Sequence, residues 1–313
     1  MENAYAHTPV LLNEVIFYLR PSPGQNFVDA TLGGGGYTTA LYEKIKPDGK
    51  VLAIDLDQDA IDNIKSQLTN VKSLIAHHGN FRDVDKIVKH HKFENISGIV
   101  ADLGLSSHQL DQAGRGISFQ KKEALDMRFD KSQGVDAGFI LNNHDAHQLE
   151  KIFSEFGEEK FSRQIAKKVT GLRAKGVEIK FTTDLYQIIE SALPKPVKHK
   201  ANDSARRIFQ ALRIAVNNEL ENLKEFLPKA FDILAPQGRL AVVSFHSLED
   251  RIVKQYFVGL TKGCVCPPEF PYCVCGRNPQ GKLLTKKPVL ATDAEINQNS
   301  RAKPAKLRAI QKI

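Results

Sequence analysis

The chemistry that can be read most sharply from this chain lies in a run of glycines and two acids. Asp29-Ala30-Thr31-Leu32-Gly33-Gly34-Gly35-Gly36 stands between a short strand, Phe27 to Thr31, and a helical stretch, Thr38 to Ile45. Glycines there let the backbone approach a ligand closely and take a positive φ without a Cβ penalty. Nineteen positions after Gly36 a second strand, Lys50 to Asp55, ends in an acid whose carboxylate can accept hydrogen bonds from both ribose hydroxyls of an adenosine. Such a pair suits either a dinucleotide or S-adenosylmethionine (SAM). The dinucleotide fingerprint G-x-G-x-x-G needs a third glycine where this chain has Thr38 or Thr39. The run instead fits acidic-x-x-x-Gly-x-Gly, from Asp29 to Gly35, and favours a methyl donor over a nicotinamide cofactor.

Three further side chains fall where such a ligand would lie. Phe81 follows the third strand and could flank an adenine, although a single aromatic there also suits a core. Asp102 ends the fourth strand, at the crevice where open α/β sheets bind ligands, and could equally be a cap or turn former. His246 follows the last strand and reads as a substrate contact or as a structural, capping histidine.

The elements that must position these groups alternate between strand and helix, the pattern of an open parallel sheet covered by helices. Strands are expected at 27–31, 50–55, 73–76, 96–103 and 239–245, with helices at 38–45, 59–68 and 84–90 between them. From about Ser107 the alternation stops. Phe161, Ile165, Val169 and Leu172, then Leu185, Ile188, Ile189 and Leu193, share helical faces. The expected organisation is therefore one α/β domain, residues 1–106 and 204–313, interrupted by a helical domain at 107–203. The sheet resumes after one long amphipathic helix, Ile208 to Leu227, stopped by Pro228. Lys195 to Arg207 reads as a mobile basic connector.

Composition excludes several classes. No apolar run approaches the ~18 residues of a membrane helix, and residues 1–20 lack the pattern of a cleaved leader, so a cytoplasmic protein is expected. Residues 276–313 hold nine Lys and Arg against two acids, nearly all of the net +8, which reads as a basic tail attractive to nucleic acid. All four cysteines lie together, Cys264, Cys266, Cys273 and Cys275. A cytosolic location argues against disulfides, and the C-x-C spacing leaves reduced thiols ahead of structural zinc, so no metal is assigned.

Together these strings resemble the RsmH/MraW family, the bacterial 16S rRNA (cytosine-N4) methyltransferases that act at the decoding centre. The resemblance runs from about His7 to Arg308. It is carried by His7-Thr8-Pro9-Val10-Leu11-Leu12, the glycine run, Ala53-Ile54-Asp55, Asp102-Leu103-Gly104, Leu125-Asp126-Met127-Arg128, Phe156-Gly157-Glu158, Phe209 to Ile214 and Ser244 to Arg251. It implies a class I SAM-dependent methyltransferase, a Rossmann-like, doubly wound and mostly parallel sheet with an inserted helical domain. SAM contacts are implied at Gly35, Gly36 and Tyr37, at Asp55 on the ribose, at Phe81 beside adenine, and at Asp102 with Gln109 near the methionine end. Tyr37 departs from the family's usual His and Asn202 from its usual Pro, so a backbone role survives at 37 where an imidazole role would not.

Cytosine N4 is a weak nucleophile because its lone pair is delocalised into the ring. The expected chemistry is metal-free, with Asp102 and Ser106 accepting hydrogen bonds from the N4 protons. The expected partner is 16S rRNA or the small ribosomal subunit, gripped by the basic connector, the insertion and the basic tail. Oligomeric state stays open, a homodimer among the options. An NAD-dependent oxidoreductase, a small-molecule methyltransferase and a non-catalytic RNA-binding protein are the rivals.

Overall fold

The computed structural model describes residues 9–67, 73–104, 114–132, 134–263, 266–267, 269–272 and 274–313. They fall into two compact units, Met1–Ser106 with Asn222–Ile313, and Ser107–Glu221.

The first unit is built on one sheet. Strands β1 (Asn26–Asp29), β2 (Val51–Asp55), β3 (Leu74–His78), β4 (Ile96–Asp102), β5 (Leu234–Ser244), β6 (Gly281–Leu283) and β8 (Lys306–Lys312) stand in the order β3-β2-β1-β4-β5-β8-β6, and β7 (Val289–Leu290) pairs with β8. The first five are parallel, and β8 runs antiparallel between β5 and β6. Alternation along each strand sends side chains to two cores. Val28, Leu52, Ile54, Ile99, Ala101 and Val242 pack under α4 (Val84–His90), α10 (Glu219–Asp232) and α11 (Ser247–Thr261). Their neighbours Phe27, Val51, Val100, Ala241 and Val243 pack under α1 (Leu12–Leu19) and α2 (Gly36–Ile45). On the same face α3 (Gln58–Gln67) lays Ile61 and Ile64 over Ala53. Burying both faces explains why these strands read as continuous apolar runs.

The second unit is helical. Helices α5 (Ala137–Asn143), α6 (Ala146–Glu155), α7 (Ser162–Arg173), α8 (Thr182–Ala192) and α9 (Ala201–Asn217) enclose Ile140, Leu149, Phe153, Ile165, Val169, Leu185, Ile189, Ile208 and Leu212. Asp145 caps α6 through a reciprocal capping box with Gln148, and Arg128 makes a forked pair with Asp126.

Three expectations differ from what is observed. The single stripe from Ile208 to Leu227 is two helices, because Asn218 takes a left-handed conformation (φ 52°) and accommodates it more readily than most residues. Ile208, Phe209 and Leu212 serve the helical core, whereas Leu223, Phe226 and Leu227 serve the sheet, and Pro228 lies inside α10 rather than ending it. The connector is ordered, as a 3₁₀ turn at Lys195–Lys200 running into α9, and Arg207 pairs at 2.7 Å with buried Glu159. The basic tail is the folded far edge of the sheet. Arg308 is buried against Asp250 at 2.6 Å, and Lys312 Nζ donates to the carbonyls of Asp232 and Leu234.

Candidate functional site

Short polar links join the carboxyl ends of β1, β2 and β4. The amide of Leu32 donates to Ile54 O and that of Gly35 to Leu32 O, which folds the glycine loop over the end of β2. Gly35 then caps α2 at φ 80°, and a Cβ there would come within 2.7 Å of Ile64. A Cβ on Gly36 would meet the Pro9 ring at 2.2 Å. The two positions therefore need glycine on backbone and packing grounds before any ligand is considered. The loop ends at a helix start, where the first amides lack intrahelical partners.

Asp55 is engaged with this loop. Its Oδ2 accepts from the Gly33 amide at 2.7 Å and its Oδ1 from the Asp57 amide at 2.8 Å. Each oxygen keeps a lone-pair site for a ribose hydroxyl. Burial outweighs those bonds and lifts its carboxyl to about 6. Asp29 is fully buried, accepting from Thr38 Oγ1 at 2.7 Å and from the Thr31 amide at 3.2 Å, and burial likewise lifts it to about 6.

Asp102 completes the group. Its amide donates to Thr31 Oγ1 at 2.6 Å, tying the end of β4 to the loop after β1. Its Oδ1 is buried and makes no hydrogen bond with the described residues. Burial, then the negative charges of Asp29 and Glu249, push its carboxyl well above the usual range. A buried carboxylate oxygen without a donor is an expensive group, and it wants a cation or an N–H.

Tyr37 turns inward. Its ring is buried among Leu41, Val10 and Val100, and its hydroxyl donates to Val10 O, so only its backbone can face a ligand. Phe81 opens a 3₁₀ turn just after β3 and sets its ring edge-on to Phe226 at 5.0 Å, leaving it half-buried. His246 is a cap: its Nδ1 accepts from the Glu249 amide, and the Glu249 carboxylate accepts from the amides of Phe245 and His246 at the start of α11. Of the two sequence readings of His246, the capping one describes its contacts. Ser106 and Gln109 lie outside the described residues, as do Cys264 and Cys273.

The sequence reading passed over Thr31, Thr38 and Glu249 as site residues. The hydroxyls flank the glycine run at positions where a structural role is easily assumed. Glu249 lies five positions after β5 ends, and no local spacing links it to Asp102.

Comparison with known proteins bears directly on this arrangement. The model of the MraW methylase family matches residues 4–313. The chain is 42% identical over 310 residues to the ribosomal RNA small subunit methyltransferase H of Syntrophotalea carbinolica, covering 99% of this chain and 98% of that protein. It is 42% identical over 317 residues to the protein of the same name from Heliobacterium mobile, covering 99% of each. The chain belongs to the MraW methylase family. Among solved structures, it is similar to a putative rRNA-methylase from Clostridium thermocellum (TM-score 0.46, 14% identity, 98% of this chain and 100% of that one). Another is a putative methyltransferase from Streptococcus mutans in complex with SAH (TM-score 0.44, 13% identity, 98% and 99% covered).

As a member of the MraW methylase family the chain is a methylase, and SAM is the methyl donor its sequence leads one to expect in this crevice. The acids fit that donor. Among the described residues Asp29, Asp55 and Asp102 take their hydrogen bonds from backbone amides and a hydroxyl and none from Lys or Arg, and SAM brings a sulfonium and an ammonium against one carboxylate. A dinucleotide would bring two phosphate charges into the same place.

Proposed function

We propose that this protein transfers the methyl group of SAM to the N4 amine of a cytosine in the decoding-centre region of bacterial 16S rRNA. The observation that carries the reading is the buried Oδ1 of Asp102 at the end of β4, an acceptor with no donor inside a family of methylases. The names of the relatives, ribosomal RNA small subunit methyltransferase H, support the RNA substrate. The cytosine and its site rest on the family resemblance.

In this reading the backbone at Gly35, Gly36 and Tyr37 lines the donor, Asp55 takes its ribose hydroxyls, Phe81 flanks adenine, and Asp102 with Gln109 lies by the methionine end. SAM supplies a methyl group made electrophilic by its positive sulfur. The protein's own contribution is positioning. Asp102, with Ser106, accepts hydrogen bonds from the N4 protons, which orients the amine lone pair along the line of transfer and draws off a proton as the nitrogen becomes cationic. Alignment of this kind supplies up to about 7 kcal/mol or more of barrier reduction. The target base must leave its stack to reach the crevice, at a few kcal/mol if paired and less if single-stranded.

RNA is held by exposed cations of two regions, Lys195, Lys198, Lys200 and Arg206 beside α9, and Arg277, Lys282, Lys286, Lys287 and Lys303 toward the C-terminus. Arg207 and Arg308 are left out because both already serve buried acids. The protein works where ribosomes are assembled, in the cytoplasm. No helix among the described residues is long and apolar enough to cross a membrane.

The deciding experiment incubates the protein with labelled SAM and small subunits, or their rRNA, from a strain lacking the modification, then maps the labelled base. N4-methylcytosine at one position is expected. Label on another base, or on protein alone, overturns the substrate assignment. With Asp102→Asn, S-adenosylhomocysteine should still bind while the methylation rate falls about 10²-fold or more. A variant that methylates at the full rate removes Asp102 from the mechanism.

A further inference from the structure

Beside β3, three imidazoles meet that the methyl-transfer reading leaves unused. His77 sits in β3, the edge strand, in register with Ile54 of β2. His90 is the last residue of α4 and His91 caps its end, its amide bonded to Ile87 O at 3.1 Å. His77 Nδ1 and His91 Nε2 are 3.0 Å apart. The ring centroids are separated by 5.1 Å for 77–91, 4.9 Å for 90–91 and 6.1 Å for 77–90.

We infer that His77, His91 and His90 form a binding site for one divalent ion of the zinc type, held by three imidazole nitrogens and completed by water. Three imidazoles on a tetrahedral zinc, with metal–nitrogen bonds of about 2.0–2.1 Å, place their nitrogens about 3.3 Å apart and their ring centroids about 5 Å apart. The triangle of ring centroids has two sides at that length and one about 1 Å longer, and His90 must swing before all three rings offer a nitrogen within 4.8 Å of the others. The long side involves His90, whose exposed side chain is free to turn. The pair His77 and His91 needs only to open by a few tenths of an ångström.

The protonation state is also the one a metal requires. His77 is held below the usual range by burial and then by the neighbouring His91, His90, His78 and Lys65, and His91 by burial and then by His90. Neutral imidazole is the ligating form. The proton now shared between Nδ1 of His77 and Nε2 of His91 moves to the other nitrogen of its own ring, and both lone pairs then face the ion. Lys65 and His78 oppose a cation, so affinity is set by nitrogen ligation and not by local charge. Bound metal would clip the end of β3 to the end of α4 and close the segment between them, which contains Phe81.

The test uses the full chain, stripped of metal by dialysis against chelator and titrated with Co2+ alone. The site predicts one ion per chain with the visible absorption of nitrogen and oxygen ligation and no thiolate charge-transfer band, displaced by added Zn2+. The absence of thiolate character separates it from any ion taken by the cysteines. His77→Ala and His91→Ala should each weaken this binding at least 10-fold, and His90→Ala should weaken it less. Far-UV circular dichroism and S-adenosylhomocysteine binding report whether each variant is folded. If an alanine variant fails to fold, His91→Gln, which keeps a polar group but supplies no imidazole, takes its place. Unchanged nitrogen-type binding in the folded variants, or thiolate-type binding alone in the wild type, overturns the inference.

Discussion

Binding of SAM should expel protons from this protein, and Asp102 should be the main source. Asp29 and Asp55 stand at about 6 in the ligand-free crevice, and Asp102 is pushed well above its ordinary value by burial and by Asp29 and Glu249. A cationic ligand favours the ionised form of each, so their pKa values fall on binding and protons leave. At pH 7 a group with pKa about 6 holds only about 0.1 proton, so Asp29 and Asp55 together can release no more than about 0.2. Release beyond that belongs to Asp102, with about one proton as its ceiling. Calorimetry of SAM binding at pH 7 in two buffers of different ionisation enthalpy yields the number directly. The wild type should release clearly more than 0.2 proton and Asp102→Asn no more than about 0.2. At pH 5.5, where the other two are about three-quarters protonated, the variant should regain substantial release. Equal release by wild type and variant at pH 7 would refute the electrostatic account of the crevice.

Other outcomes follow from the same geometry. Gly35→Ala forces a Cβ at φ 80° toward Ile64 and should lower stability by about 1–2 kcal/mol, read by urea unfolding, with weaker S-adenosylhomocysteine binding. Tyr37→Phe strips the hydroxyl from Val10 O and should lower stability by about 1 kcal/mol with donor affinity unchanged, since only the backbone of residue 37 faces the ligand. Arg308→Met leaves Asp250 buried beside Lys306 alone and should lower stability by about 3 kcal/mol at pH 7. Because Asp29 has a folded pKa of about 6 against 3.8 unfolded, the native state binds the extra proton, and its contribution to stability falls as pH rises through that window. Asp29→Asn should therefore gain on the wild type by about 2 kcal/mol between pH 4.5 and pH 8. An identical difference at the two pH values would show that Asp29 does not titrate as described.

Much of the sheet was legible because its strands are buried on both faces, so runs such as Ile99 to Ala101 carry the apolar signal themselves. The glycine loop was legible for a different reason, since four glycines between a strand and a helix have few other uses. What escaped the sequence depended on partners far along the chain. The break at Asn218 leaves the helical stripe intact on paper and is decided by which core each half finds. Arg308 and Lys312 count as tail charge until β8 is seen to run inside the sheet. Tyr37 sits in a ligand motif, but its hydroxyl is captured by Val10, a residue no spacing rule connects to it.

The order of the strands carries a consequence for biosynthesis. As the chain leaves the ribosome, β1 to β4 can assemble half a sheet, but the open side of β4 is covered only when β5 arrives, more than 130 residues later. The helical unit, whose described elements are contiguous in the chain, is synthesised within that interval and has its whole core available first. The nascent protein must therefore carry an unpaired apolar strand edge through the making of an entire second unit, a state that invites aggregation or the attention of a chaperone. The helical unit is thus what delays closure of the sheet.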